Sequence, residues 1–299
     1  MKHFKNIISF MISLILMFSL LLTIFLMFFK STLINENYYN KIIQENKTSE
    51  KIYDGIYKDI NYILLANNVS QDVAKDVITQ KEIDDYENIA TNEVTKFFIG
   101  KSEEIPAINV DVYMERLNLG INTYIQSNNV RLTQETSNVF NEIKESTKEI
   151  LSSELEAINY NDLSKSEKGK NIRKISIMIN DSKLFVATIV VDVILCLLLI
   201  FIWKSRRYRG YAWIGYSFAS SGALVSILFI SGIVSKFYEN SVIYSAYLKE
   251  NVASIIEGYL IRLSVIGVIC FLIGLIFTSI YWKHLYNKYK VIQNSELEK

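Results

Sequence analysis

The chain has 299 residues, half of them hydrophobic, and a formal net charge of only +1, with two cysteines and two histidines. So few histidines and cysteines leave little material for Ser-His or Cys-His nucleophilic catalysis or for His- and Cys-based zinc sites. Nothing in the composition or the motifs suggests nucleic-acid binding.

The apolar residues are concentrated in four blocks. The first, Ile7 to Phe29, runs 23 residues without a charge behind the basic start "MKHFKN". Signal-peptide apolar regions run about 7 to 15 residues and end in a small-x-small cleavage site, so this block is expected to be an uncleaved transmembrane helix. Residues 1–30 are thus assigned to a cytoplasmic start and first span.

Residues 31–183 follow as a polar stretch with 25 acidic against 18 basic residues, a net charge near −7. The single proline of the chain, Pro106, lies in it, and apolar residues recur three and four apart, which predicts helices. In "TSEKIYDGIYKDINYILL", Ile52, Ile56, Ile60, Ile63 and Leu64 share a stripe behind a cap expected at Thr48 or Ser49. The alternative is that the first span continues unbroken through "INENYYNKIIQ". A second helix is expected from Thr79, which stands in capping-box spacing with Glu82, to a stop at Gly100. Its "KEIDDYE" run, Lys81 to Glu87, lacks the turn glycine and ligand spacing of a calcium loop and reads as a solvated helix face. Val112, Leu117, Ile121 and Tyr124 mark a third stripe. Val139, Phe140, Ile143, Ile150, Leu151, Leu155 and Ile158 mark a last long helix from about Leu132 to Ile158. Asn161 to Asn171, polar and without a stripe, is expected to be a hinge. The whole stretch is read as a bundle of four or five helices, held by packing alone because it has no cysteine.

The second span is placed at 184–203, "LFVATIVVDVILCLLLIFIW", with Asp192 as its one charge. A central Asp costs roughly 2.5–3.5 kcal/mol, whereas the fifteen Leu, Ile, Val and Phe of the block contribute about −5 to −9 kcal/mol. The segment therefore still inserts. A basic loop at 204–210, "KSRRYRG", leads to a third span at 211–235, a short loop at 236–259, a fourth span at 260–282 and a tail at 283–299. At about 1.5 Å per residue, each span matches a hydrocarbon core of about 30 Å. Lys2 and Lys5, the basic loop, and Lys283, Lys288 and Lys290 fall on alternate connections, so the positive-inside rule puts both termini in the cytoplasm. Trp203, Trp213, Tyr281 and Trp282 are then expected to form one interfacial belt.

Asp192 lies 11 residues from Trp203, about 16 Å into the bilayer, where Ser220, Ser221 and Ser226 of the third span have a similar depth. The carboxyl is expected to hydrogen-bond one of these serines, as structural glue or as a functional group, and both roles stay open. Arg262 lies roughly 14 Å further out and is expected to snorkel to the boundary. Gly215, Ala219 and Gly222 of the third span, with Gly267 and Gly274 of the fourth, are spaced as a helix-packing seam. Intramembrane proteolysis lacks its components: no histidine reaches membrane depth for a serine protease, and Asp192 has no second aspartate.

The run "NENYYNKIIQENKTSEKIYDGI" after the first span and the "KSRRYRGYAWIGYSFASSGAL" turn resemble a broad set of uncharacterised bacterial four-span proteins with a helical extracytoplasmic insert. The resemblance implies an architecture and no activity. The order of one span, an exterior domain and three spans also looks like the permease subunits of macrolide-exporter and lipoprotein-releasing ABC systems. Only six residues precede the first span, however, which leaves no room for the amphipathic helix those subunits carry.

The expected fold is an all-α integral membrane protein: four transmembrane helices with a helical extracytoplasmic domain between the first and second. A bias toward Ile, Asn and Lys points to a bacterial plasma membrane. The expected function is non-enzymatic binding or sensing of an envelope partner, with transport through Asp192 as the alternative. The expected partners are the lipid bilayer and a second copy or another envelope protein; no metal, cofactor or catalytic residue is assigned.

Overall fold

The computed structural model describes residues 2–156, 159–240 and 246–297, which are helical with no strand among them. In chain order the helices are α1 (Lys2–Phe28), α2 (Glu36–Glu45), α3 (Thr48–Ala66), α4 (Gln80–Phe98), α5 (Asp111–Ser127), α6 (Gln134–Glu156), α7 (Asn161–Lys165), α8 (Glu167–Asn180), α9 (Ser182–Ile202), α10 (Arg207–Ser235) and α11 (Ala246–Leu297). They fall into two compact units. One takes the described residues of Met1–Leu33, Met178–Ser241 and Ile256–Lys299, the other those of Ile34–Ile177 and Val242–Ile255.

The first unit contains four helices long and apolar enough to cross a membrane, which makes this a multi-pass membrane protein. Its packing supports the same conclusion. Leu16, Leu20, Leu199 and Ile214 form one buried cluster, and Ile24, Phe28, Val225, Leu263 and Cys270 another. Yet Phe18, Val193, Phe201, Ile227 and Ile276 are exposed, an apolar exterior that water would penalise and acyl chains accept.

Polar atoms instead face inward. Ser13 Oγ and Ser217 Oγ are 2.7 Å apart, and the indole N–H of Trp203 donates to Ser9 Oγ at 2.8 Å. Trp203 is therefore buried between helices, whereas Trp282, its expected companion in the belt, is exposed.

Three boundaries differ from the sequence expectation. Residues 246–259, expected as loop, and 283–297, expected as tail, belong to the single 52-residue helix α11. Hydropathy marks where lipid begins, but a helix stops at a cap or a proline, and this stretch contains no proline. Of the expected 204–210 loop, only Lys204–Arg206 is a separate turn, in 3-10 form, because α10 already starts at Arg207. There Gly210 permits a close helix approach, since a Cβ would lie 2.9 Å from Leu199 O. The first helix does not continue past the membrane block: a π-turn at Phe29–Leu33 follows it, and α2 starts afresh with Asn35 capping Asn37 N–H.

The second unit has the core that the stripes predicted. Ile52, Ile56, Ile60 and Leu64 of α3 pack against Ile83 of α4, Leu117 and Ile121 of α5, and Phe140, Ile143, Leu151 and Leu155 of α6. Each fully buried aliphatic side chain contributes about 1.5–3 kcal/mol relative to exposure. Ile63, Tyr124, Val139 and Ile150 pack at its edge, while Val112 is exposed, one turn too early on α5 to reach the core. Ile158 lies outside the described residues.

Thr79 and Glu82 form the expected capping box, and Gly100 follows α4 with φ +81°. The cap expected at Thr48 or Ser49 is not formed, because Lys47 occupies that position in the left-handed conformation without a side-chain bond. Thr48 Oγ1 instead donates to Asn251 Oδ1 at 3.0 Å, and Ser49 Oγ donates to Asp84. The expected hinge, 161–171, is helical in α7 and the start of α8, because Ser166 and Gly169 turn tightly there: Gly169 N–H donates to Ser166 Oγ at 3.0 Å.

Candidate functional sites

Asp192 sits on α9 and is 7% exposed. Its hydrogen-bond partner is Thr23 of α1, whose hydroxyl donates to Oδ2 at 2.7 Å. None of the third-span serines fills that role. Ser220 is exposed on α10; Ser221 is buried and donates to Phe218 O at 3.1 Å, with Cys270 Sγ 3.5 Å away; Ser226 is buried with no partner for Oγ. Asp192 Oδ1 is likewise buried without a partner. Arg262 is tied elsewhere, to Thr32 Oγ1 at 3.2 Å and Ser31 O at 3.4 Å.

The signal for Thr23 is present in the sequence. At 100° per residue, Ser9, Ser13 and Thr23 fall within an arc of about 80° on α1. They meet Trp203, Ser217 and Asp192 in turn, so this one hydroxyl face holds α1 against α9 and α10.

The small-residue positions do meet. A Cβ on Gly222 would lie 2.6 Å from Gly267 O and 2.7 Å from Phe271 Cα; one on Gly274, 2.7 Å from Ala219 Cα; one on Gly215, 2.8 Å from Thr278 N. Gly267 in turn approaches Ser226 N, 2.9 Å from its notional Cβ. All five positions therefore lie on one α10–α11 seam where backbones are in contact, the geometry small residues permit in membranes.

In the second unit a cleft of about 920 Å³ opens between Gln71–Val73, α4 and α5. Gly120 is among its lining residues, and a Cβ there would collide with the carbonyl of Val73. Arg116 donates twice to Glu82, Nη2 to Oε1 at 2.7 Å and Nη1 to Oε2 at 3.0 Å. This charge-assisted fork, helped by the Thr79 cap bonds, holds the Glu82 carboxyl down at about 2 against the opposing effect of burial. Asp72, Asp76 and Thr123 also line the cleft, with Leu119 as its apolar edge. The cleft thus has fixed donors and acceptors and an acidic balance. The stripe pattern gave no sign of it, because the charged residues that mark it, Asp72, Asp76, Glu82 and Arg116, lie off the apolar stripes that build the core.

The "KEIDDYE" run is not a solvated face throughout. Glu87 is 3% exposed and neither carboxyl oxygen has a hydrogen-bond partner. Burial, with a smaller effect of Asp84, pushes its pKa up to about 8, so it is neutral at pH 7. Thr91 and Thr95 follow it on the same buried face of α4. Among the described residues no group of three or more His, Cys, Asp or Glu side chains is placed to hold a metal ion.

The chain matches no protein-family model, no curated protein and no solved structure.

Proposed function

We propose that this is a non-enzymatic bacterial plasma-membrane protein with both termini cytoplasmic, whose helical extracytoplasmic domain binds or senses an envelope partner through the Arg116–Glu82 cleft. The cleft itself carries this reading: about 920 Å³ of concavity, lined by polar and apolar surface, on a unit with its own core and with the fixed Arg116–Glu82 pair at its wall. The α10–α11 seam supports the membrane unit as a firmly packed anchor. A photo-crosslinking residue at Leu119 in the intact cell tests it. A discrete adduct that is lost with Asp76→Lys supports cleft binding. The same adduct pattern from an equivalent residue at Leu132, outside the cleft lining, would sink it.

The second reading is a proton or ion route through Asp192, favoured by the buried, partnerless Oδ1. Asp192→Asn removes titration while keeping shape. Flux in proteoliposomes that falls with Asn supports the route, and unchanged flux refutes it.

A further inference from the structure

Helix α8 carries two unlike faces. Gly169 and Ser176 are buried, Arg173 donates to Phe97 O at 3.0 Å and Ser102 O at 3.1 Å, and Ile177 comes against Gly100. Away from these, Ile172, Ile175 and Met178 are exposed, Ile175 by 54%. At 100° per residue these three span an arc of about 120°, a continuous stripe that is 48–63% exposed. Lys168 extends the stripe by one turn and Lys174 flanks it; with Lys170, all three ammonium groups are exposed.

Two observations identify what covers the stripe. The first is chain reach. Asp181 alone separates α8 from the apolar helix α9, so Met178 lies within about 14 Å of Ser182 whatever the bend between them. Because α9 is 21 residues, about 31 Å long, Ser182 marks the edge of the hydrocarbon. The second is charge. Residues 165–183 hold six basic and two acidic side chains, inside a polar stretch that is otherwise strongly acidic. At the same end of the membrane unit, Lys30 Nζ donates to Ser182 Oγ at 3.2 Å and lies 5.6 Å from the Phe185 ring.

We propose that α8 is an interfacial helix lying in the headgroup layer of the leaflet on the α9 N-terminal side. Ile172, Ile175 and Met178 dip into the acyl boundary, while Lys168 and Lys174 meet the phosphates of anionic lipids. An apolar stripe with lysines at and beside it, joined to a span by one residue, has the composition of such helices. The lysines are attracted by the negative surface potential of an anionic leaflet and lengthen outward to reach it. The inference rests on α9 crossing the membrane and not on what the cleft binds.

The test uses the full chain with Cys196→Ala and Cys270→Ala, reconstituted into phosphatidylcholine vesicles with or without phosphatidylglycerol. A nitroxide is attached through Ile175→Cys or, as a control on an exposed position of α4, Ile89→Cys. The Ile175 label should collide with a water-soluble nickel chelate severalfold less, and with oxygen more, than the control label. Adding phosphatidylglycerol should deepen it, and Lys168→Glu with Lys174→Glu should abolish that deepening. A label at Ile175 as open to nickel as the one at Ile89 would overturn the proposal. So would dipolar broadening between Ile175 labels, which would give the stripe to a second copy. Equal depth in the two lipids would remove the anionic-lipid contact.

Discussion

Replacing Glu87 by Gln should flatten the pH dependence of the stability of α4. In the folded chain the carboxyl titrates near 8, against an ordinary value of 4.5. Below pH 4.5 both folded and unfolded chains hold the proton, and stability is at its full value. Between 4.5 and 8 the unfolded chain releases the proton while the folded chain retains it, so stability falls by about 1.4 kcal/mol per pH unit. Above 8 both forms are ionised and the loss levels off at roughly 4–5 kcal/mol in total. Because the oxygens have no partner, nothing offsets the desolvation of the ionised form. Hydrogen exchange of the α4 amides in the intact protein, corrected for intrinsic rates, reads this opening free energy between pH 5 and 9. The native chain should lose protection with rising pH while Glu87→Gln holds it nearly constant. Equal slopes in the two proteins would refute the argument.

Glu82 should act with the opposite sign. Its carboxyl is held down at about 2, so its contribution is present above 4.5 and disappears as pH falls toward 2. Glu82→Ala, which removes both cap and Arg116 pair, should cost about 1–2 kcal/mol in α4 protection at pH 7 and little at pH 2. Gly222→Val should disrupt the α10–α11 seam, read as a fall in melting temperature in detergent. Gly232→Ala should be mild, because its Cβ would meet the flexible Leu260 side chain at 3.2 Å and the Phe237 ring at an ordinary 3.7 Å. Thr23→Val leaves Asp192 without its donor and should lower stability by about 1–2 kcal/mol in a detergent unfolding titration. In an Asp192→Leu background the same change should cost much less, and an undiminished cost would show that the two side chains are not coupled.

The spans and the core stripes were legible because they rest on area. Twenty consecutive apolar residues, or Ile52, Ile56, Ile60 and Leu64 repeating by four, leave one physical solution each. Ends were less legible, because they are decided by a few local bonds. The Thr79–Glu82 box was readable since both partners are close in sequence. The Lys47 turn was not, since the hydroxyls of Thr48 and Ser49 are drawn away by Asn251 and Asp84, distant in the chain. The seam from Gly215 to Gly274 was readable in the same way as the stripes, because small residues at helical spacing let backbones approach closely.

Single polar partners are the hardest to read, and the two buried carboxyls show why. A carboxyl's depth can be counted from the nearest boundary, which placed Asp192 at the level of the α10 serines. Depth does not give azimuth, however, and azimuth alone decides whether a side chain meets α1 or α10. The periodicity of the partner helix supplies it: hydroxyls on one arc of α1 leave Thr23 facing α9. Glu87 reverses the problem. Its neighbours Lys81, Glu82, Asp84 and Asp85 suggest water, but Ile83, Glu87 and Ala90 repeat by four and three and are all buried. Period outweighs composition there, so a lone carboxyl in phase with a core stripe should be read as buried and neutral until a partner for it is found.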